Sequence, residues 1–159
     1  MLRARALSAI CLMSIAACGG SDSVTGTNNS CGTATTISAT IDGASWCSPA
    51  AGVSRAGNNS VIAIAGIDLG ITASVSFAVV ASAPGTFSVA PGNTTVGSAT
   101  VTKAGKGWSS ALPGGTGSVT FTTLTANHVV GTFAFDAVAA SGGATGTVHV
   151  TNGKFDITF

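Results

Sequence analysis

The sequence predicts an all-β fold, a single antiparallel β-sandwich or barrel-like domain of about eight to nine short strands. Three observations carry this reading. Gly, Ala, Ser, Thr and Val dominate while Glu, Gln and Tyr are absent, a mix that disfavours long surface helices and suits strands and tight turns. From Thr33 onward, short β-branched runs alternate with Gly, Asn and Pro, the punctuation of a sandwich or barrel. After the first residues, no helical period longer than two turns occurs.

Strands are expected over Thr36 to Ile41, Val61 to Gly66, Thr72 to Val80, Thr86 to Ala90, Gly97 to Thr102, Ser118 to Thr125, His128 to Ala137, Thr145 to Thr151 and Lys154 to Phe159. Ile67-Asp68-Leu69-Gly70 reads as the turn of a hairpin. Alternation puts Val129, Gly131, Phe133 and Phe135 on a core face, with His128, Val130, Thr132, Ala134 and Asp136 opposite. Val119, Phe121 and Thr123 form a similar set, as do Val75, Phe77 and Val79. Asn152-Gly153 is the preferred pair for a two-residue type I′ turn. Such a hairpin sets His149 opposite Asp156 and puts Val148, Val150, Phe155 and Ile157 on the buried face.

The start of the chain reads differently. Arg3 and Arg5 precede an uncharged run, Ala6 to Ala17, which is the layout of an export signal. The run is shorter than the ~20 residues a helix needs to cross a bilayer. Ile15-Ala16-Ala17-Cys18 resembles the bacterial lipobox, in which the cysteine thiolate takes a diacylglycerol and the peptidase cuts before it. The other reading is an ordinary signal peptide cleaved after Ala17, which gives no reason for Cys18. Acyl chains contribute about 0.8 kcal/mol per buried CH₂, so two or three hold a protein on a membrane. Gly19 after the cysteine resembles proteins sent on to the outer membrane. The organisation expected is therefore a lipoprotein signal peptide over 1–17, lipidated Cys18 with a polar tether over 18–32, and one β domain over 33–159.

Past residue 17, Arg55, Lys103, Lys106 and Lys154 stand against Asp22, Asp42, Asp68, Asp136 and Asp156. That balance makes nucleic acid a poor partner. Once Cys11 leaves with the signal and Cys18 takes lipid, Cys31 and Cys47 remain in an oxidising compartment. A disulfide between them closes a loop of about sixteen residues and contributes up to ~3 kcal/mol in the chain-entropy model. Metal ligation by the pair is the alternative, but no close Cys-x-x-Cys or Cys/His spacing supports it.

Several pieces together resemble secreted bacterial lipoproteins of a domain family of unknown function. They are Asp42-Gly43-Ala44-Ser45-Trp46, Gly131-Thr132-Phe133-Ala134-Phe135-Asp136-Ala137, and Val150-Thr151-Asn152-Gly153-Lys154-Phe155. The resemblance covers about residues 36 to 159. It implies a compact β domain behind a lipid anchor and carries no catalytic residues.

Chemistry-bearing patterns are sparse. Isolated Asp residues without Glu do not supply the paired carboxylates of glycoside hydrolysis. No Gly-x-Ser-x-Gly elbow accompanies the histidines, and His128 and His149 lack the neighbours of a metal site. No catalytic residue, metal ligand or cofactor is assigned. Trp46 and Trp108 are candidate ligand contacts, since a ring on a β surface can stack on a sugar or line a lipid pocket; the other reading is that both cap the core. Trp108 lies in Lys103 to Gly115, read as a loop. The expectation is a noncatalytic lipoprotein, held in the bacterial envelope by Cys18 and serving a structural or binding role, with an envelope protein, a glycan or a small hydrophobic ligand as partner. A lipocalin-like carrier is the second reading, and a hydrolase the third.

Overall fold

The structure is a computed structural model that describes residues 36–56, 61–68, 70, 72–92 and 97–159. The leader, Cys18, the tether and Cys31 lie outside the described residues. The strands are β1 (Ile37–Ile41), β2 (Ala44–Ser48), β3 (Ala50–Ala56), β4 (Val61–Ile67), β5 (Ala73–Val80), β6 (Gly85–Ser88), β7 (Ser98–Lys103), β8 (Lys106–Ser109), β9 (Thr116–Leu124), β10 (His128–Ser141) and β11 (Thr147–Thr158). Every pairing is antiparallel. The fold is all-β, as the composition and punctuation predict.

Nine of the strands follow one another around a nearly closed, barrel-like sheet in the order β2-β1-β11-β10-β8-β7-β5-β4-β3. The two ends of this path, β2 and β3, are consecutive in the chain with Pro49 between them. Pro49 has no amide to donate, so the chain can leave the ladder of β1 and enter that of β4 without stranding a donor. The seam is sealed by side chains. The buried Ser48 Oγ accepts the Ile67 amide at 2.9 Å, and the Trp46 indole N–H donates to the Ala73 carbonyl at 3.4 Å. Gly66 permits the approach, because a Cβ there would stand 2.8 Å from the Ser48 Cβ.

The long β10 divides one of its edges between two partners. Val129 to Asp136 pair with β9, whereas Val138 to Ser141 pair with β8. β9 carries β6 on its far side, so these two strands form a branch laid over one flank of the core. Alternation fills the interior as expected: Val75, Phe77 and Val79 of β5, Val119 and Phe121 of β9, and Val129, Phe133 and Phe135 of β10 are buried together with Val148, Val150, Phe155 and Ile157 of β11. The Phe77 ring centroid stands 5.1 Å from that of Phe133 and 5.5 Å from that of Phe155. Ser110 is the polar pin of this core. It is fully buried, accepts the Ala99 amide at 2.8 Å and donates to the Val89 carbonyl.

Two expectations are corrected. The final hairpin does not form: β11 runs unbroken through Asn152-Gly153. A type I′ turn needs positive φ at both central residues, but only Asn152 has it, at 54°. Asn152 is instead the extra residue of a bulge, where the register with β10 shifts between Phe133 and Phe135. Pairs with positive φ at both residues are Asp42-Gly43 (φ 49° and 81°), Ala104-Gly105 (φ 50° and 75°) and Gly142-Gly143 (φ 64° and 68°). The second of these corrects the first part of the loop read over Lys103 to Gly115, since Lys103 pairs with Lys106 across a tight β7–β8 hairpin, while 110–115 lie outside the strands. The strands β2, β3 and β8 were not expected, being short or rich in Ala, Gly and Ser.

Candidate functional site

The chemistry-bearing groups lie on the outer face of β10 and β11. The residues that alternate with the core positions Val148 and Val150 place His149 outside, and its ladder partner is Asp136 rather than Asp156. The loss of the expected hairpin is the reason for that change of partner. His149 Nδ1 lies 2.7 Å from Asp136 Oδ1, and Thr116 Oγ1 donates to Asp136 Oδ2 at 3.2 Å. On the other side of β11, the His149 amide donates to Asp42 Oδ1 and the Asp42 amide to the His149 carbonyl, both at 2.9 Å. A polar row thus runs Asp42, His149, Asp136, Thr116 across four neighbouring chain segments. His128 makes its own pair, with Nε2 2.7 Å from Asp156 Oδ1.

This row fixes an imidazole but does not assemble a triad. The hydroxyl of Thr116 meets the carboxylate, whereas acyl transfer needs a hydroxyl on the imidazole. Among the described residues, no group of three or more His, Cys, Asp or Glu side chains is placed to hold a metal ion.

The tryptophans offered as ligand contacts are both in the core. Trp46 is 4 % exposed and Trp108 8 %, and the Trp108 indole N–H donates to the Thr145 carbonyl at 3.2 Å. Buried indoles satisfied by backbone carbonyls act as packing elements. Cys47 follows Trp46 on β2, so alternation turns it to the opposite side, yet it is only 6 % exposed.

Asp68 is the one buried carboxylate among the described residues, at 5 % exposed. Burial alone would push its pKa up, but the Thr72 hydroxyl, the Thr72 amide and the Ala73 amide outweigh this and hold it below the ordinary aspartate value. Thr72 N donates to Oδ1 at 2.7 Å and Thr72 Oγ1 to Oδ2 at 2.5 Å. The turn read at Ile67 to Gly70 is therefore locked by a side chain from within it.

Depressions mark the surface of the described residues. One of about 350 Å³ lies on small uncharged residues of β3, β4, β5 and β7, among them Gly52, Ala65, Ser76 and Thr100. Another, of about 300 Å³, is lined by Ser38, Thr132, Lys154 and Asp156. A third, of about 190 Å³, lies beside the β7–β8 hairpin between Ile67 and Lys106. Sequence reasoning missed this last feature, because Ala-Gly is a weak turn signal compared with Asn-Gly.

The fold and these sites define a single-core, all-antiparallel β protein with a barrel-like sheet. The chain belongs to the family described as Domain of unknown function (DUF6252), which matches residues 33–156. No curated protein and no solved structure matches it.

Proposed function

We propose that this protein is a bacterial envelope lipoprotein whose β domain serves a noncatalytic structural or binding role at the outer membrane. The observation that carries the reading is the order of the parts. The family match starts at residue 33, just after the lipobox-like Ile15-Ala16-Ala17-Cys18 and the polar stretch Ser21 to Ser30. Anchor, tether and folded unit thus follow one another without a gap. Residues 1–17 are removed, Cys18 is acylated, and residues up to 32 space the domain from the bilayer. A disulfide between Cys31 and Cys47 then fixes the tether to the domain; the low exposure of a Cys47 that faces away from the core supports a covering partner there.

The noncatalytic role is favoured by the arrangement of the histidines, each paired with one aspartate on a solvent face. Cross-strand polar pairs of this kind support a sheet without doing chemistry. The carrier reading asks for room inside the sheet, whereas the rings of Phe77, Phe121, Phe133 and Phe155 pack on one another there. Metabolic labelling with a palmitate analogue tests the anchor. The wild-type chain takes label and Cys18→Ala does not; equal labelling of the variant sinks the proposal.

A further inference from the structure

The geometry points to the groove beside the β7–β8 hairpin as a contact site for anionic phospholipid headgroups, by which the anchored domain rests on the membrane. This inference builds on the lipoprotein reading and deepens it. In a chain with only six Lys and Arg, two of the lysines, Lys103 and Lys106, stand directly opposite each other at a hairpin tip, both exposed. Like charges in that relation destabilise a strand pair, and the ion pairs among the described residues involve neither lysine. The hairpin carries two repelling cations without an ion-pair partner among the described residues. An anion supplied from outside resolves that arrangement.

The groove next to them has the chemistry of a phosphate site. Ser141 contributes a hydroxyl, Ser74 and Thr102 a hydroxyl pair 2.6 Å apart that leaves one proton to donate, Lys106 a cation, and Ile67, 43 % exposed, an apolar rim. A lysine beside an exposed aliphatic side chain suits the boundary between headgroups and acyl chains. The Asp68 carboxylate is buried outside the groove lining, with both oxygens taken up by Thr72.

Position selects a bilayer as the source of that phosphate. The first described residue, Thr36, donates its hydroxyl to the Ser48 carbonyl at 3.1 Å, and Ser48 Oγ accepts the amide of Ile67, which lines the groove. The root of the tether is therefore two hydrogen bonds from the groove. A chain anchored through that tether holds this end of the domain at high effective concentration over the membrane, so even a weak contact is occupied.

The test uses the chain from residue 18 onward with Cys18→Ser, so that no acyl chain contributes. Sedimentation is compared with vesicles of phosphatidylcholine alone and with vesicles containing one-quarter phosphatidylglycerol. Binding is expected only to the anionic vesicles and falls as salt is raised from about 0.05 to 0.3 M. Lys103→Glu with Lys106→Glu weakens it by about thirtyfold or more, from roughly a fivefold contribution per lysine near an anionic surface, whereas Lys154→Glu leaves it within about twofold. Thermal melts confirm that the variants are folded, and Lys103→Gln with Lys106→Gln repeats the test without charge reversal. Equal binding to both vesicle types, or no change in the double variants, overturns the inference. Protection by millimolar inorganic phosphate without vesicle binding also overturns it, in favour of a soluble anion. Palmitate labelling at Cys18 reports the anchor separately, so failure on vesicles leaves the lipoprotein reading standing.

Discussion

Phe155 lies across Gly131 on the neighbouring strand, and two residues along the same ladder Phe133 lies across Gly153. A Cβ on Gly131 would meet the Phe155 ring at 2.5 Å and the Thr120 carbonyl oxygen at 2.0 Å; one on Gly153 would meet the Phe133 ring at 2.5 Å and the Phe133 carbonyl oxygen at 2.4 Å. Two Gly-x-Phe segments running in opposite directions thus cover each other's glycines, a cross-strand arrangement in which a ring replaces the side chain glycine lacks. The two rings stack with centroids 6.4 Å apart.

Gly131→Ala is accordingly expected to destabilise the domain by about 1–3 kcal/mol through overpacking against backbone that cannot move aside. Phe155→Ala is expected to cost about 3–5 kcal/mol. Urea unfolding with a shared slope measures both. A Gly131→Ala protein as stable as wild type contradicts the packing described.

Ser110→Ala removes the partner of two buried backbone groups, the Ala99 amide and the Val89 carbonyl. The loss expected is about 1–3 kcal/mol, the cost of leaving such groups unsatisfied. Hydrogen exchange gives a local check, with the Ala99 amide exchanging faster in the variant than in wild type.

Asp68 makes acid stability testable. Its carboxyl titrates lower in the folded chain than in the unfolded one, so its contribution is fully present above the unfolded value of about 3.9 and is lost as pH falls through the lower folded value. Wild type should therefore lose stability below about pH 4 more steeply than Asp68→Asn. At neutral pH the variant is expected to be about 1–2 kcal/mol less stable, because a neutral amide replaces a charged acceptor. Parallel pH curves for the two proteins refute the assignment.

If Cys31 and Cys47 are bonded, a thiol assay on denatured, unreduced protein made in an oxidising compartment finds neither of them. Reduction should then lower stability by up to ~3 kcal/mol, the chain-entropy value for a loop of about sixteen residues. Two reactive thiols rule the bond out.

His149→Ala should change stability by less than about 1 kcal/mol, since its pair with Asp136 is solvent-exposed and screened. Comparison of melts at low and high salt checks this. A larger loss gives the polar row a structural weight that its exposure does not predict.

The parts of this fold that a single strand decides were legible in the sequence. The alternation of Val75, Phe77 and Val79, and of Val129, Gly131, Phe133 and Phe135, assigns their faces correctly. The positive φ values at Asp42 and Gly43 are those an Asp-Gly pair favours in a tight hairpin turn. What depends on distant partners was not legible. Asn152-Gly153 is compatible locally with both a turn and a bulge, and β1 and β10, pairing on either side of β11, decide between them. The seam at Pro49 was hidden for a related reason: Ala50 to Ala56 carries a weak strand pattern and acquires its place from the ladder with β4. His149 kept its outward face but changed its partner, because a register error moves pairs without moving faces.

The placement of β11 bears on the order of assembly. β11 lies between β1 and β10, so before Thr147 to Thr158 are in place β1 lacks its neighbour on that side. Closure must wait for β11, and contacts so far apart in sequence form slowly. The local pairs β1–β2, β3–β4, β4–β5 and β7–β8 can form early, but the ring they belong to stays open until β11 is in place.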